Sequence, residues 1–276
     1  MKQNRTEHVN LSSYDDVENL SNFSDDSFKK YCDEKLKSCS KHIQFIHKHC
    51  IENNSSWSGK ICEIGSGNSK LLYRLENDNL LHEGIGLEIS SSRYKFAEKF
   101  KQYINSKKVT NLNNNVFDTN HLSDFDLVIG VDIVLQLIAP LNKNAEKSIL
   151  EWIRLCLKPN GFLILELWDF EHILKQIELF ENDLRIWEEF PESDPWEFVL
   201  ADIKTNEEND IIWEKLFLKR DSMERSKFTN ILRPYSTHKI TSILEKNGFD
   251  SVTTFNRWGL DEDAQQGEFV VLAQKI

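Results

Sequence analysis

"KICEIGSGNSKLL", residues Lys60 to Leu72, carries an apolar run into two glycines, turns polar, and resumes with an apolar pair. The pattern reads as a buried strand ending at Glu63 and Ile64, a tight backbone turn, and a helix beginning near Asn68. Glycine in such a turn admits positive φ and lets a ligand approach without meeting a Cβ. In open α/β sheets this first strand-to-helix turn belongs to the ligand site.

Outward from the turn, strands are expected near 84–89, 125–130, 161–167, 251–256 and 268–274, with a weaker one near 112–117. Helices are expected at about 68–77, 91–105, 143–157 and 237–247. Strand and helix alternating in this way mark an α/β protein with a mostly parallel, doubly wound sheet. "LKPNGF" (157–162) and "EKNGFD" (245–250) read as helix ends, where an Asn-Gly pair takes a left-handed turn before the next strand. Between Leu167 and Thr237 the rhythm breaks: a helix at 171–182 precedes two β-rich runs around a polar turn and a third run at 226–232. A small antiparallel sheet inserted at about 168–236 is expected, serving as a lid or as an oligomer contact, which leaves a homodimer open.

Residues 1 to about 25 are rich in Ser, Asn and Asp and read as a loose arm. A helix follows over 27–51, with Cys39, Ile43, Ile46 and Cys50 on one face. His42, His47 and His49 share that stretch, but His47 and His49 point about 200° apart on a helix and no metal-ligand spacing occurs, so no metal site is expected. The division is therefore an N-terminal arm and cap helix over 1–55 and a main domain over 56–276.

Composition narrows the function. No apolar run approaches the ~20 residues that span a bilayer, and no signal peptide is visible, so neither a membrane nor secretion is expected. Five cysteines without a C-x-x-C pair read as reduced, buried thiols in a cytoplasmic protein. A net charge of −11 argues against a nucleic-acid partner, whose phosphates call for a basic face.

A dinucleotide turn wants a small residue at the third position of G-x-G-x-x-G, where this chain has Lys70. An acid at the strand end would also repel a pyrophosphate, whereas it suits a cationic ligand. At Glu63, Gly65 and Gly67 the turn resembles the first motif of class I S-adenosylmethionine-dependent methyltransferases, departing from it where Ser69 stands at a frequent third glycine. The resemblance continues in order. "GIGLEIS" places Glu88 and Ile89 where the family has its ribose-binding acid; "NNNVFDTN" offers Asp118 to the adenine amino group; "DFDLVIGVDIVLQLI" sets Val131 and Asp132 beside the methionine part. "LKPNGFLILEL" and "YSTHKITSILEKNGFDSVTTF" resemble the segments that close the family's sheet. The resemblance implies a seven-stranded Rossmann-like sheet, S-adenosylmethionine as cofactor, and methyl transfer.

The acceptor is less legible, because in-line methyl transfer works largely by positioning and needs a base only when a proton must leave early. His172 with Asp169, just past the fifth strand, is the expected base with its neighbouring carboxylate; Trp168, Arg233, Tyr235 and His238 are the expected acceptor contacts, with Tyr14 and Tyr31 of the N-terminal segment closing the pocket from the other side. Five of the seven tryptophans lie in or after the insertion, which favours a small organic acceptor with oxygen or nitrogen as the methylated atom. A protein or RNA methyltransferase and a non-catalytic binder of the same fold stay open as alternatives.

Overall fold

A computed structural model describes residues 18–52, 54–119, 122–192, 194–259 and 267–276. The core strands come first in the chain: β1 (Lys60–Ile64), β2 (Glu83–Glu88), β3 (Val109–Asn113), β4 (Phe125–Gly130) and β5 (Leu157–Trp168). An interruption contributes β6 (Leu184–Glu189), β7 (Trp196–Thr205), β8 (Ile211–Lys219) and β9 (Arg225–Leu232), after which β10 (Phe249–Asn256) and β11 (Glu268–Lys275) return to the core. The helices are α1 (Asp25–Ser38), α2 (Ser40–Ile46), α3 (Lys70–Asn77), α4 (Ser91–Ile104), α5 (Val134–Ile138), α6 (Ala145–Cys156), α7 (Glu171–Leu179) and α8 (Thr237–Lys246).

Seven strands form one sheet in the order β10-β11-β5-β4-β1-β2-β3. The five strands from β5 to β3 pair in parallel, and β11 runs antiparallel between β5 and β10. All six residues of β4 are buried, as expected of a parallel strand covered on both faces. Alternation decides which layer each residue meets. Cys62, Val128 and Leu165 pack with Ile149 and Ile153 of α6 and Leu244 of α8. Ile61, Leu127, Ile129 and Ile164 pack with Leu71 of α3, Phe96 of α4 and Phe28 of α1. The order reverses between β4 and β1, and a ligand cleft opens at such a switch point.

One charge sits inside this core. Asp126 of β4 is fully buried, and its carboxylate accepts the Ser58 hydroxyl at 2.6 Å, the Lys60 backbone N–H at 2.8 Å and an ion pair from Lys158. Burial opposes its ionisation, but the bonds from Lys158, Ser58 and Lys60 outweigh it and hold the carboxyl below its ordinary range. Asp126 thereby ties the approaches to β1 and β5 onto β4.

The structure departs from the sequence reading in five places. The third strand ends at Asn113, and 116–118 is a single tight turn whose Phe117 N–H bonds back to the Asn115 side chain at 3.0 Å. Asparagine side chains compete with the ladder there. The helix expected over 27–51 is broken at Cys39 and closes in a wider turn at His47–Ile51. The inserted sheet has four strands, ordered β6-β7-β8-β9, because the edge strand β6 has five exposed residues in six and lacks the alternation that marks a strand. The short helix α5 follows β4 directly, where the sequence shows only an apolar run. The left-handed turn expected after α8 is present at Gly248 (φ 83), whereas left-handed Asn160 (φ 60) lies within β5, which begins at Leu157 directly after α6, where the β4–β5 register shifts.

Candidate active site

The turn after β1 is built around its glycines. Gly65 has φ +61, and a Cβ there would stand 2.6 Å from a Val134 methyl. Gly67 has φ +55, and a Cβ there would meet the Arg93 guanidinium at 2.7 Å. Ser69 also takes a left-handed conformation (φ 58), and its hydroxyl donates to Asn111 Oδ1 at 2.7 Å. The departure at the third glycine position is therefore accommodated by a side-chain bond.

Two acids flank the turn. Glu88, at the end of β2, accepts the Gly67 N–H on Oε2 and the Ser90 N–H on Oε1, both at 2.7 Å. Each oxygen keeps acceptor capacity for a ligand hydroxyl. Glu63 is 1% exposed, and its Oε2 has no hydrogen-bond partner. Burial pushes its pKa up to about 8, against the pull of Lys70 and with help from Asp132 and Glu88. A neutral buried acid with an unspent oxygen is suited to a cationic group.

Asp132 follows β4 in a strained setting: it and Ile133 are consecutive left-handed residues, with φ 57 and 59. Such strain costs on the order of 1–3 kcal/mol per residue and persists only when surroundings impose it. The Asp132 N–H donates to Glu166 Oε2 at 2.9 Å, while Ile133 is buried in the core of the inserted sheet. Burial disfavours the Asp132 anion, but Lys70, Arg93 and Lys35 outweigh that and lower its pKa.

These groups line one cavity of about 420 Å³. Glu63, Gly65, Gly67, Glu88, Ile89, Val131, Asp132 and Trp168, all expected from sequence, border it together. Trp168 is fixed by Gln136, whose amide accepts the Trp168 N–H at 2.8 Å and donates to its carbonyl at 3.0 Å.

Other expected residues lie elsewhere. Asp118 is exposed at the end of the 116–118 turn, and Asn114, Asn115, Val116 and Phe117 line the cavity instead. Asp169 caps α7 by accepting the Glu171 N–H at 2.9 Å and is absent from the lining. Arg233 forms a two-point ion pair with the buried Asp210, at 2.7 and 3.0 Å. Tyr235 is buried under α6 and donates to Glu146; His238 is exposed in the first turn of α8. This segment fastens the insertion to the core and does not wall the cavity. Tyr14 and the side chain of His172 lie outside the described residues.

Two further walls were expected only through Tyr31 and the tryptophans of the insertion; their other members were missed. From the N-terminal side come Glu18, Tyr31 and Lys35. Glu18 is buried and accepts from Tyr31 OH at 3.0 Å, Asn68 Nδ2 at 2.5 Å and Arg93 Nε at 2.9 Å. Nothing local marks Glu18, whose partners are remote in sequence. From the inserted sheet come Glu188, Phe190, Trp213, Lys215, Phe217 and Asn230. Here alternation in "IIWEKLFLK" does place Trp213, Lys215 and Phe217 on one face. The histidines of α2 and its closing turn serve packing: His42 lies 4.2 Å from the Trp258 ring and His49 lies 4.5 Å from Phe45. Among the described residues no cluster of metal-ligating side chains occurs.

No family model and no curated protein matches the chain by sequence. Solved structures do match it by shape. An S-adenosylmethionine-dependent methyltransferase from Clostridium acetobutylicum aligns with TM-score 0.70 at 15% identity, covering 90% of this chain and 98% of that one. The CcbJ methyltransferase from Streptomyces caelestis aligns with TM-score 0.68 at 13% identity, covering 86% and 94%. CalS10, an amino pentose methyltransferase from Micromonospora echinaspora solved with S-adenosylmethionine bound, aligns with TM-score 0.63 at 12% identity, covering 90% and 96%. The similarity runs through nearly the whole of each partner, and the strand order, glycine turn and flanking acids agree with it: this chain has the fold of the class I S-adenosylmethionine-dependent methyltransferases.

Proposed function

We propose that the protein transfers a methyl group from S-adenosylmethionine to a small organic molecule enclosed between the core sheet and the inserted sheet. The observation that carries this reading is the buried Glu63 beside the glycine turn, whose Oε2 has no hydrogen-bond partner, with Glu88 at the next strand end. The residues fit the donor: Glu88 has acceptor capacity for ribose hydroxyls, Asn114 to Phe117 edge a pocket for adenine, and Glu63 with Asp132 faces the cationic amino-acid end. When bound, the donor supplies an electrophilic methyl on a sulfonium.

What the chain contributes is enclosure and alignment. Trp168, Trp213, Phe217 and Phe228 give the acceptor side apolar walls, which suit a small molecule better than an RNA helix or a folded protein. The net charge of −11 also disfavours RNA. Holding two reactants close and collinear supplies much of the acceleration in a displacement of this kind. The neighbours include an amino pentose methyltransferase and sugar and glycopeptide N-methyltransferases, which supports a small or medium-sized acceptor. Five buried thiols without a disulfide among the described residues support a cytoplasmic setting. No described helix is long and apolar enough to cross a membrane.

Calorimetry with S-adenosylmethionine and, separately, NADH tests the reading, followed by an assay for S-adenosylhomocysteine formed with pooled small metabolites. Binding of the first ligand with turnover is expected. Binding of NADH alone would overturn the assignment, and donor binding without product in any pool would leave the non-catalytic alternative standing.

A further inference from the structure

The roof of the cavity has its own chemistry. Alternation along β8 turns Trp213, Lys215 and Phe217 toward the cavity, and the β8–β9 register sets Asn230 opposite Trp213 and Phe228 opposite Lys215. Asn230 is 1% exposed and its Nδ2 has no partner; the Trp213 indole N–H has none either. The Lys215 ammonium lies 4.2 Å from the Trp213 ring centroid and has no ion pair among the described residues. A buried polar group left unbonded costs about 1–3 kcal/mol, so two such donors beside an ammonium without an ion pair among the described residues call for a ligand that satisfies them.

All the unspent atoms are N–H donors. A complementary ligand group must accept, and a carboxylate offers two oxygens with about four acceptor sites. An ammonium would instead meet the Lys215 charge. We propose that Trp213, Lys215 and Asn230 receive a carboxylate carried by the methyl acceptor, whose apolar body packs against Phe190, Phe217 and Phe228. The proposal rests on the methyltransferase reading for the identity of the chamber as an acceptor site.

The charges around Lys215 allow this. Asp132 reaches it from across the cavity and Glu188 from β6. Asp132 is already compensated by Lys70, Arg93 and Lys35. Asp194, also on the lining, lies in the field of Lys35 and Arg220. Asp202, Lys204, Glu214 and Lys227 fall on the opposite face of the sheet by alternation. Burial draws the Lys215 pKa down to about 8 against Asp132 and Glu188, which leaves the ammonium charged at neutral pH. Carboxylate affinity should therefore weaken as pH rises through that value.

The test titrates phenylacetate, benzylamine and 2-phenylethanol into the full-length protein at pH 7, with and without saturating S-adenosylhomocysteine, read by calorimetry or ligand NMR. Phenylacetate should bind most tightly and lose at least tenfold in Lys215→Met and severalfold in Asn230→Leu. Lys215→Arg should retain most of the affinity, which separates loss of charge from misfolding. The affinity for S-adenosylhomocysteine should be unchanged in all three variants. Equal or tighter binding of benzylamine or the alcohol, no binding of phenylacetate, or an unchanged affinity in Lys215→Met would overturn the carboxylate site. Failure of S-adenosylhomocysteine to bind would instead remove the donor reading, while the titration without it still judges the corner.

Discussion

Replacing Glu63 with Gln should change how the stability of the protein depends on pH. An ordinary glutamate value of 4.5 against about 8 in the folded protein corresponds to about 5 kcal/mol between the protonation states, at about 1.36 kcal/mol per pH decade. The unfolded chain releases this proton near 4.5 and the folded chain holds it to about 8. The contribution to stability is therefore complete below 4.5, declines between 4.5 and 8, and is gone above 8. Glutamine has nearly the shape of the protonated acid and never ionises. Glu63→Gln should match the wild type near pH 5 and exceed it by a growing margin toward pH 8.5. At about 2–4 °C per kcal/mol for a large domain, the gap in Tm should reach on the order of 10 °C. Thermal unfolding of both proteins from pH 5 to 9, monitored by circular dichroism, provides the measurement. Parallel curves would refute the reasoning, since they would mean that Glu63 ionises in the folded state like an exposed carboxyl. The same variant should bind S-adenosylmethionine more weakly, so that stability gained and affinity lost come from one substitution.

Gly67→Val should abolish donor binding with the fold retained, because the new side chain would take both a left-handed φ and the space of the Arg93 guanidinium at 2.7 Å; calorimetry showing unchanged affinity would remove the turn from the site. Arg233→Met strands the buried Asp210 without its ion pair and should destabilise the protein by about 3–5 kcal/mol in denaturant unfolding, with donor affinity intact. A loss of affinity larger than the loss of stability would return Arg233 to the ligand site. Asp126→Asn removes a charge whose pKa is lowered in the folded state, so its cost should be full at neutral pH, begin to shrink as pH falls through the ordinary carboxyl range, and be lost only as pH falls through the lower folded value. A cost in chemical denaturation that shows no decline between pH 7 and the acid limit of folding would assign it to geometry alone.

The glycine-turn half of the cavity was legible because parallel strands deliver their ends to one edge. Once β1, β2 and β4 were read, Glu63, Glu88 and Asp132 had to converge. Asp118 was lost by a single turn, since the Asn115 side chain ends the extended segment early and a period-based reading does not see side chains competing with the ladder. The half of the cavity under the inserted sheet was harder for a different reason. Alternation shows that Lys215 shares a face with Trp213, but no local pattern says which face of an inserted sheet turns toward the core. Arg233 looked available because its partner, Asp210, lies 23 positions away and meets it only when β8 and β9 pair, Ile211 against Leu232. Glu18 had no periodic context at all, and its role rests on Arg93, 75 positions on.

The left-handed pair at Asp132 and Ile133 gives the roof an anchored half and a replaceable one. Ile133 shares its apolar cluster with Ile203, Ile211, Trp213 and Leu232, whereas Trp196, Val199, Phe217 and Phe228 form a separate cluster farther along the same strands. Mutations in the first group press on the backbone that aims Asp132, and so are coupled to the glycine-turn side of the cavity. Mutations in the second group are insulated from it by the break between clusters. Libraries that reshape this chamber can therefore vary the outer positions among residues of similar volume, since all four are buried, and should hold the volume around Ile133 constant.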